Sequence, residues 1–236
     1  MSKTLLVTGA SRGIGLETAT RFIESDNDFT TIVLWARESD DFTSAAAELE
    51  ALAAARGKRV VAQTVDVGDL DALRVGVKEL YAEVGNIDVL VNNAGYTNPV
   101  PIHQVEFADF ERTMSVNLYA PFLTIQGLLH AGNTFELIVN IASTAGINGR
   151  SGWLTYSASK AAVINMSQVL REELAIFGTR VVCLSPGRTA TALRRVLAPD
   201  EDPSTIMQPE HVARVIETMA SPVGRFIDSE NIVVRL

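Results

Sequence analysis

Short β-rich runs alternate with longer helical stretches along this chain, and no other feature limits the fold as strongly. The runs are 4–8, 31–35, 59–66, 87–92, 135–143, 180–185 and 226–234; helical patterns fill 13–24, 43–56, 70–84, 107–129, 153–177 and 209–219. Several runs are almost continuously apolar, as in Ile87-Asp88-Val89-Leu90-Val91, which suits strands covered on both faces. Such alternation reads as repeated βαβ units: an α/β, doubly wound, three-layer sandwich around a mostly parallel seven-stranded sheet. Sheets of this kind bind ligands at the carboxyl ends of their strands, where the strand order reverses. With no low-complexity linker and no internal repeat, residues 1–236 read as one domain. Residues 189–207 follow a strand end and cluster Pro199, Asp200, Glu201, Asp202 and Pro203, which marks a candidate substrate lid.

Composition narrows the function. The net charge of −8 argues against nucleic acid and anionic membranes as partners. An anionic ligand therefore needs a local cationic or backbone-donor site. No stretch reaches the ~20 apolar residues that a membrane span requires, and the start lacks the apolar run of a secretory signal. The sole cysteine, Cys183, lies in an apolar run and reads as a buried core thiol, so a reducing, cytoplasmic setting is expected. His103, His130 and His211 are scattered without ligand spacing, and no metal site is expected.

The first strand runs directly into Thr8-Gly9-Ala10-Ser11-Arg12-Gly13-Ile14-Gly15, where a helix opens. Glycines let the backbone turn tightly and approach a diphosphate whose charge the helix N-terminus receives. The spacing is G-x-x-x-G-x-G, unlike the commonest dinucleotide fingerprint, and a ligand-free turn is the bland alternative. Tyr156 and Lys160 are four positions apart on an expected helix, so they share one face. A phenol is a poor acid or base near neutrality, and a neighbouring ammonium stabilises its anion. Taken alone, that pair is ordinarily a packing or surface pair.

The ordered set of motifs resembles the short-chain dehydrogenase/reductase family in its compact, single-domain, Rossmann-like branch. The resemblance rests on the glycine loop, on Asn92-Asn93-Ala94-Gly95 after a strand, on Asn117, on Ser143 at a strand end, on Tyr156-Ser157-Ala158-Ser159-Lys160, and on Pro186-Gly187 followed by Thr191. It implies an NAD(P)-dependent oxidoreductase that moves hydride between nicotinamide and a carbonyl or secondary alcohol. Tyr156 would be the acid/base, Lys160 would also reach the nicotinamide ribose, Ser143 would bond the substrate oxygen, and Asn117 would hold a water beside the lysine. The cofactor contacts implied are Gly9, Ser11, Arg12, Gly13, Ile14, Gly15, Arg37, Asp66, Val67, Asn93, Ala94, Gly95, Tyr156, Lys160, Pro186, Gly187, Thr189 and Thr191. Asp66 is expected at the adenine edge or, alternatively, as a helix N-cap; Asn92 is expected to satisfy strand backbone groups. The enoyl-reducing relatives separate tyrosine and lysine more widely, and the epimerase relatives have other glycine spacing, so neither fits.

Ala36 stands where NAD-preferring members carry an acid, and Arg37 and Arg12 suit a 2′-phosphate, so the expected cofactor is NADP rather than NAD. The substrate pocket, by analogy, draws on Tyr96, Ser143, Trp153, Leu154, Tyr156, Arg188 and Leu193. Its aromatics suggest an apolar or aromatic carbonyl compound, with Arg188 leaving room for an acidic group. Val182 replaces a common asparagine and should join the core. The tail lacks the family's glycine-bearing ending, which puts a homotetramer in doubt and leaves a homodimer through the helices at 107–129 and 153–177. A non-catalytic dinucleotide-binding sensor or assembly protein is the alternative; it would have no need of Asn117, Ser143, Tyr156 and Lys160 together.

Overall fold

The structure is a computed structural model that describes residues 2–227 and 230–236. A seven-stranded sheet runs in the order β3-β2-β1-β4-β5-β6-β7. Its strands are β1 (Lys3–Thr8), β2 (Phe29–Ala36), β3 (Arg59–Thr64), β4 (Val89–Asn92), β5 (Leu137–Ile141), β6 (Arg180–Pro186) and β7 (Asn231–Val234). Every pairing between neighbouring strands is parallel, where the sequence suggested only a mostly parallel sheet. The chain order reverses between β1 and β4, which places the crevice for a ligand beyond their carboxyl ends.

The apolar alternation within each strand explains the three layers. Leu5, Val7, Ile32, Leu34, Val89, Val91, Val139 and Ile141 face one side. There they pack on α1 (Gly13–Glu24), α2 (Asp40–Ala55) and α9 (Pro209–Ala220), through residues such as Phe22, Leu49 and Ile216. Leu6, Val33, Trp35, Leu90, Ile138 and Val181 face the other side. They meet α3 (Leu70–Val84), α5 (Ala120–His130) and the end of α7 (Leu154–Leu174). Successive side chains point to opposite faces, so both faces must be apolar when both are covered. Val182 joins the first cluster, and Cys183 is buried as expected.

Several boundaries differ from the sequence reading for physical reasons. The helical pattern at 107–129 is not one helix: α4 (Phe107–Met114) and α5 are joined by a π-turn over Ser115–Tyr119. Such turns cluster at functional sites because the extra residue re-aims a side chain, and here that side chain belongs to Asn117. Trp153 is the N-cap of α7 rather than its first turn, and residues Ala175–Phe177 tighten into a 3₁₀ turn. The run at 226–234 shortens to β7; Val223–Phe226 forms a 3₁₀ turn, and Asp228 and Ser229 lie outside the described residues. Two short helices escaped the pattern altogether, α6 (Thr144–Ile147) and α8 (Ala192–Leu197). Neither is long enough to develop a 3.6-residue period. Among the described residues, no helix is long and apolar enough to cross a membrane.

Candidate functional site

A cleft of about 1490 Å³ opens along the carboxyl ends of the strands. One end is built from the loop between β1 and α1. Gly9 and Gly13 adopt φ of 68° and 59° there, a region costly for side-chain-bearing residues. A Cβ on Gly9 would lie 2.8 Å from the Ala94 Cα, so the loop and the strand β4 end can approach only as glycine allows. Asn93 locks this junction: its Nδ2 donates to the carbonyls of Thr8 and Gly9, and the amides of Asn93 and Ala94 donate to Thr8 Oγ1. The N-cap residue Arg12 makes no side-chain cap, and the first turn of α1 carries no acid. The helix therefore presents free amide donors and an uncompensated positive pole to the cleft.

Gly9, Ser11, Arg12, Gly13 and Ile14 line that end, together with Arg37, Asp66 and Val67 from beyond β2 and β3. Gly15 does not line it. A Cβ there would fall 2.3 Å from the Gly9 carbonyl oxygen, so Gly15 permits helix-to-loop packing. Asp66 Oδ1 accepts from the Gly68 amide, whereas Asp69 caps α3, which removes the helix-cap alternative for Asp66. Asn92 is corrected too: instead of serving backbone groups it donates to Asn140 Oδ1 at 2.8 Å, and Asn140 donates to Ser167. Arg37 is exposed and has no ion pair among the described residues, whereas Arg12 reaches Asp41 at 3.4 Å.

The other end collects Ser143, Tyr156, Lys160, Trp153, Tyr96, Pro186, Gly187, Arg188, Thr189, Thr191 and Leu193, while Ala94 and Gly95 continue the lining from Asn93 after β4. Leu154 is not among them; its place at the start of α7 turns it outward, 46% exposed. Ser143 lies two residues past β5 and caps α6, its hydroxyl accepting from the Ala145 amide, and it lies close enough to Tyr156 to act on the phenol. Tyr156 and Lys160 occupy one face of α7 and are both buried. Lys160 Nζ donates to the Ile141 carbonyl at 2.7 Å and stands 5.9 Å from the Tyr156 ring centre. Asn117 Oδ1 accepts from the Tyr96 amide at 2.8 Å; Nδ2 donates to the Tyr96 carbonyl at 3.0 Å and to Ser159 Oγ at 2.9 Å. Its side chain thus ties the π-turn to the β4 loop and to α7.

Electrostatics at this end depart from the simple reading of the pair. Burial raises the Tyr156 phenol above its ordinary value, and the Ser143 hydrogen bond and the Arg194 charge pull it partly back. The expected help from Lys160 is therefore not what lowers the phenol in this arrangement. Burial also pushes Lys160 down to about 8, opposed by the nearby Cys183 thiol. Arg194 was not foreseen. It lies on α8, which Thr191 starts by accepting a bond from the Arg194 amide, and its guanidinium sits 5.6 Å from the Trp153 ring centre. Thr97, Arg112, Arg150, Val196 and Leu197 also line the cleft unforeseen. A run such as Thr191-Ala192-Leu193-Arg194-Arg195 carried a capping signal, but nothing in it told which way the arginines point.

Residues 189–207 begin and end together: Thr189 bridges Met207 in parallel. Glu201 within the segment binds Arg194 at 2.6 and 2.8 Å. The histidines lie away from this chemistry, His211 accepting from the Gln208 amide at the start of α9. Among the described residues no cluster of His, Cys, Asp or Glu could hold a metal.

Comparison with known proteins agrees with this geometry. A family model for short chain dehydrogenases matches residues 3–202. An acetoacetyl-CoA reductase of Allochromatium vinosum is 33% identical over 99% of this chain and 97% of its own length. A 3-oxoacyl-[acyl-carrier-protein] reductase of Synechocystis is 31% identical over 97% of this chain and 94% of its own. Among solved structures, a blue fluorescent protein from a metagenomic library, in complex with NADPH, superposes with a TM-score of 0.86. The two are 29% identical, over 98% of this chain and 96% of that one. A short chain dehydrogenase from Burkholderia cenocepacia in complex with NADP gives 0.84 at 28% identity, over 98% and 96%. This chain belongs to the short chain dehydrogenase family of oxidoreductases.

Proposed function

We propose that this protein is an NADP-dependent reductase that converts a carbonyl compound to a secondary or primary alcohol, with Tyr156 donating the proton. The observation that carries the reading is the buried Tyr156 beside Ser143 in the same cleft whose far end is a glycine loop at a helix N-terminus. The residues fit the dinucleotide. Free amides of α1 and the close backbone approach at Gly9 suit its diphosphate, and Arg37 with Arg12 suits a 2′-phosphate. Ser11, Gly13, Ile14, Asp66, Val67, Asn93, Ala94 and Gly95 take the adenosine half. Pro186, Gly187, Thr189 and Thr191 take the nicotinamide half, with Lys160 at its ribose. NADP in neighbouring structures supports the same choice.

Bound NADPH supplies the hydride and, once oxidised, a positive ring. The protein supplies the rest. Ser143 donates to the carbonyl oxygen as negative charge develops on it. Tyr156 gives that oxygen its proton, so the product is a neutral alcohol and the phenolate is left beside Ser143 and Arg194. With Lys160 at the nicotinamide ribose, a proton then returns to Tyr156 through the Asn117 side of the site. In the oxidation direction the same phenolate is the base. Residues 189–207 act as a lid over the substrate, and exposed Tyr119, Phe122 and Val169 support a homodimer formed through α5 and α7.

The decisive experiment follows NADPH and NADH consumption against aldehydes and ketones with the natural protein and Tyr156→Phe. Loss of turnover by about 10³-fold or more, with NADPH binding intact, is expected. Turnover that survives loss of the hydroxyl overturns the role of Tyr156, and a preference for NADH overturns that of Arg37.

A further inference from the structure

Arg112, Arg150, Arg188 and Arg194 line the Tyr156 end of the cleft. The carboxylates that line the cleft, Glu38, Asp41, Asp66 and Asp69, belong to the loops after β2 and β3 at the opposite end. Near Tyr156 the lid residue Glu201 satisfies Arg194 and reaches Arg188 at 3.3 Å. Arg112 and Arg150 have no ion pair among the described residues. Each instead lies against an aromatic ring: Arg112 is 4.3 Å from the centre of Tyr96, and Arg150 is 5.9 Å from that of Trp153. A guanidinium held near a ring keeps N–H donors for a bidentate acceptor, and Arg112 also acts on the Tyr96 phenol, whose hydroxyl donates to Asp109. Beside Tyr96, the Thr97 hydroxyl lines the same wall, buried and without a hydrogen-bond partner among the described residues. What sets these two apart from other unpaired cations among the described residues, such as Arg37, is their place on the wall of the cleft beside Tyr96 and Trp153. The dinucleotide does not call for them, because its phosphates are answered at the glycine loop and at Arg37.

We infer that the carbonyl substrate carries a carboxylate, which Arg112 and Arg150 receive with help from the Thr97 hydroxyl. Trp153 and Leu193 cover the carbon skeleton between that group and the carbonyl. The inference rests on the reduction reading above and replaces the apolar substrate suggested by the aromatics alone. The reaction is then oxo acid plus NADPH plus a proton giving hydroxy acid plus NADP. Hydride goes to the carbonyl carbon, the Tyr156 proton goes to its oxygen, and the carboxylate is unchanged.

The test uses oxo acids paired with their methyl esters: 3- and 4-formylbenzoate and straight-chain oxo acids of four to six carbons, with 4-formylphenyl phosphate as a further arm. Binding to the NADP-saturated protein is measured by calorimetry, and NADPH oxidation is followed separately. At least one acid should bind about tenfold more tightly than its ester. Arg112→Gln and Arg150→Gln should each raise the Kd and KM for that acid about tenfold, raise those for its ester by much less, and be partly rescued by lysine. Equal binding of every acid and its ester overturns the inference, as does an acid preference that survives both substitutions. Phosphate bound more tightly than any carboxylate overturns the choice of carboxylate. Acid-selective binding without turnover strikes only the reduction reading.

Discussion

At the glycine-loop end of the cleft the protein presents mainly backbone, with amides of α1, a junction closed by Asn93, and glycines whose side chains would collide. At the Tyr156 end it presents buried side chains, Lys160 and Tyr156, both shifted by the loss of water, and a rim of arginines. The first arrangement suits a ligand part with one fixed chemistry, a diphosphate. The second, on the proposed reading, has to hold a proton ready and discriminate among carbonyl compounds, which takes side chains placed by tertiary packing rather than backbone. Backbone sites fail through sterics, and side-chain sites fail through charge.

Substitutions at each end should separate these two modes. After Tyr156→Phe, Ser143→Ala is expected to have the largest effect, lowering kcat by roughly 10²–10³-fold. The Kd for NADPH, measured by fluorescence, should stay within about twofold, because no backbone donor of the loop is touched. A matching loss of NADPH affinity would mean that the two ends are not separable. Gly15→Ala places a Cβ against the Gly9 carbonyl at 2.3 Å. Relief requires moving the loop, so this change should lower stability by about 3 kcal/mol and weaken NADPH binding together with it. A melting temperature equal to that of the natural protein would dismiss the packing account. Arg37→Gln is milder, since the group is exposed and no fold contact depends on it. The NADPH over NADH preference in kcat/KM should fall about tenfold, with NADH kinetics nearly unchanged.

The same contrast explains how much was legible in the sequence. Strands covered on both faces announce themselves as apolar runs, so the sheet and its partners were readable from patterns such as Val89-Leu90-Val91. The glycine loop was readable because its conformation admits few residues. Asn117, Ser143, Tyr156 and Lys160 were readable only as an ordered set, and the structure adds their surroundings: the π-turn under Asn117 and the Ile141 carbonyl that holds Lys160. Arg112, Arg150 and Arg194 were not legible. Arg112 and Arg194 sit on short helices and Arg150 in the loop before α7, where an arginine ordinarily means a solvated surface, and only contacts with Tyr96 and Trp153 turn them toward the cleft. Leu154 erred in the reverse sense, because Trp153 caps α7 and the next residue points away.

The smallest effect concerns the cost that only the Tyr156 end carries. Burial lowers Lys160 to about 8 from an ordinary 10.5, so the folded chain binds fewer protons than the unfolded chain between those values. Stability therefore rises with pH across that window. The penalty of burying the ammonium is fully present below pH 8 and is gone above about 10.5. Between pH 8 and 9 the Lys160 gain should be about 1 kcal/mol, offset in part by Cys183, whose thiol is pushed up to about 11 in the fold and so loses its proton first in the unfolded chain. Lys160→Met removes the titrating group, so urea unfolding of this variant should lack that rise while the natural protein shows it. The variant also leaves the Ile141 carbonyl without its donor, which makes absolute stability a poor guide and the pH slope the quantity to compare. An equal slope in both proteins would show that Lys160 is not desolvated. The contrast between a backbone end and a buried-charge end would then rest on Tyr156 alone.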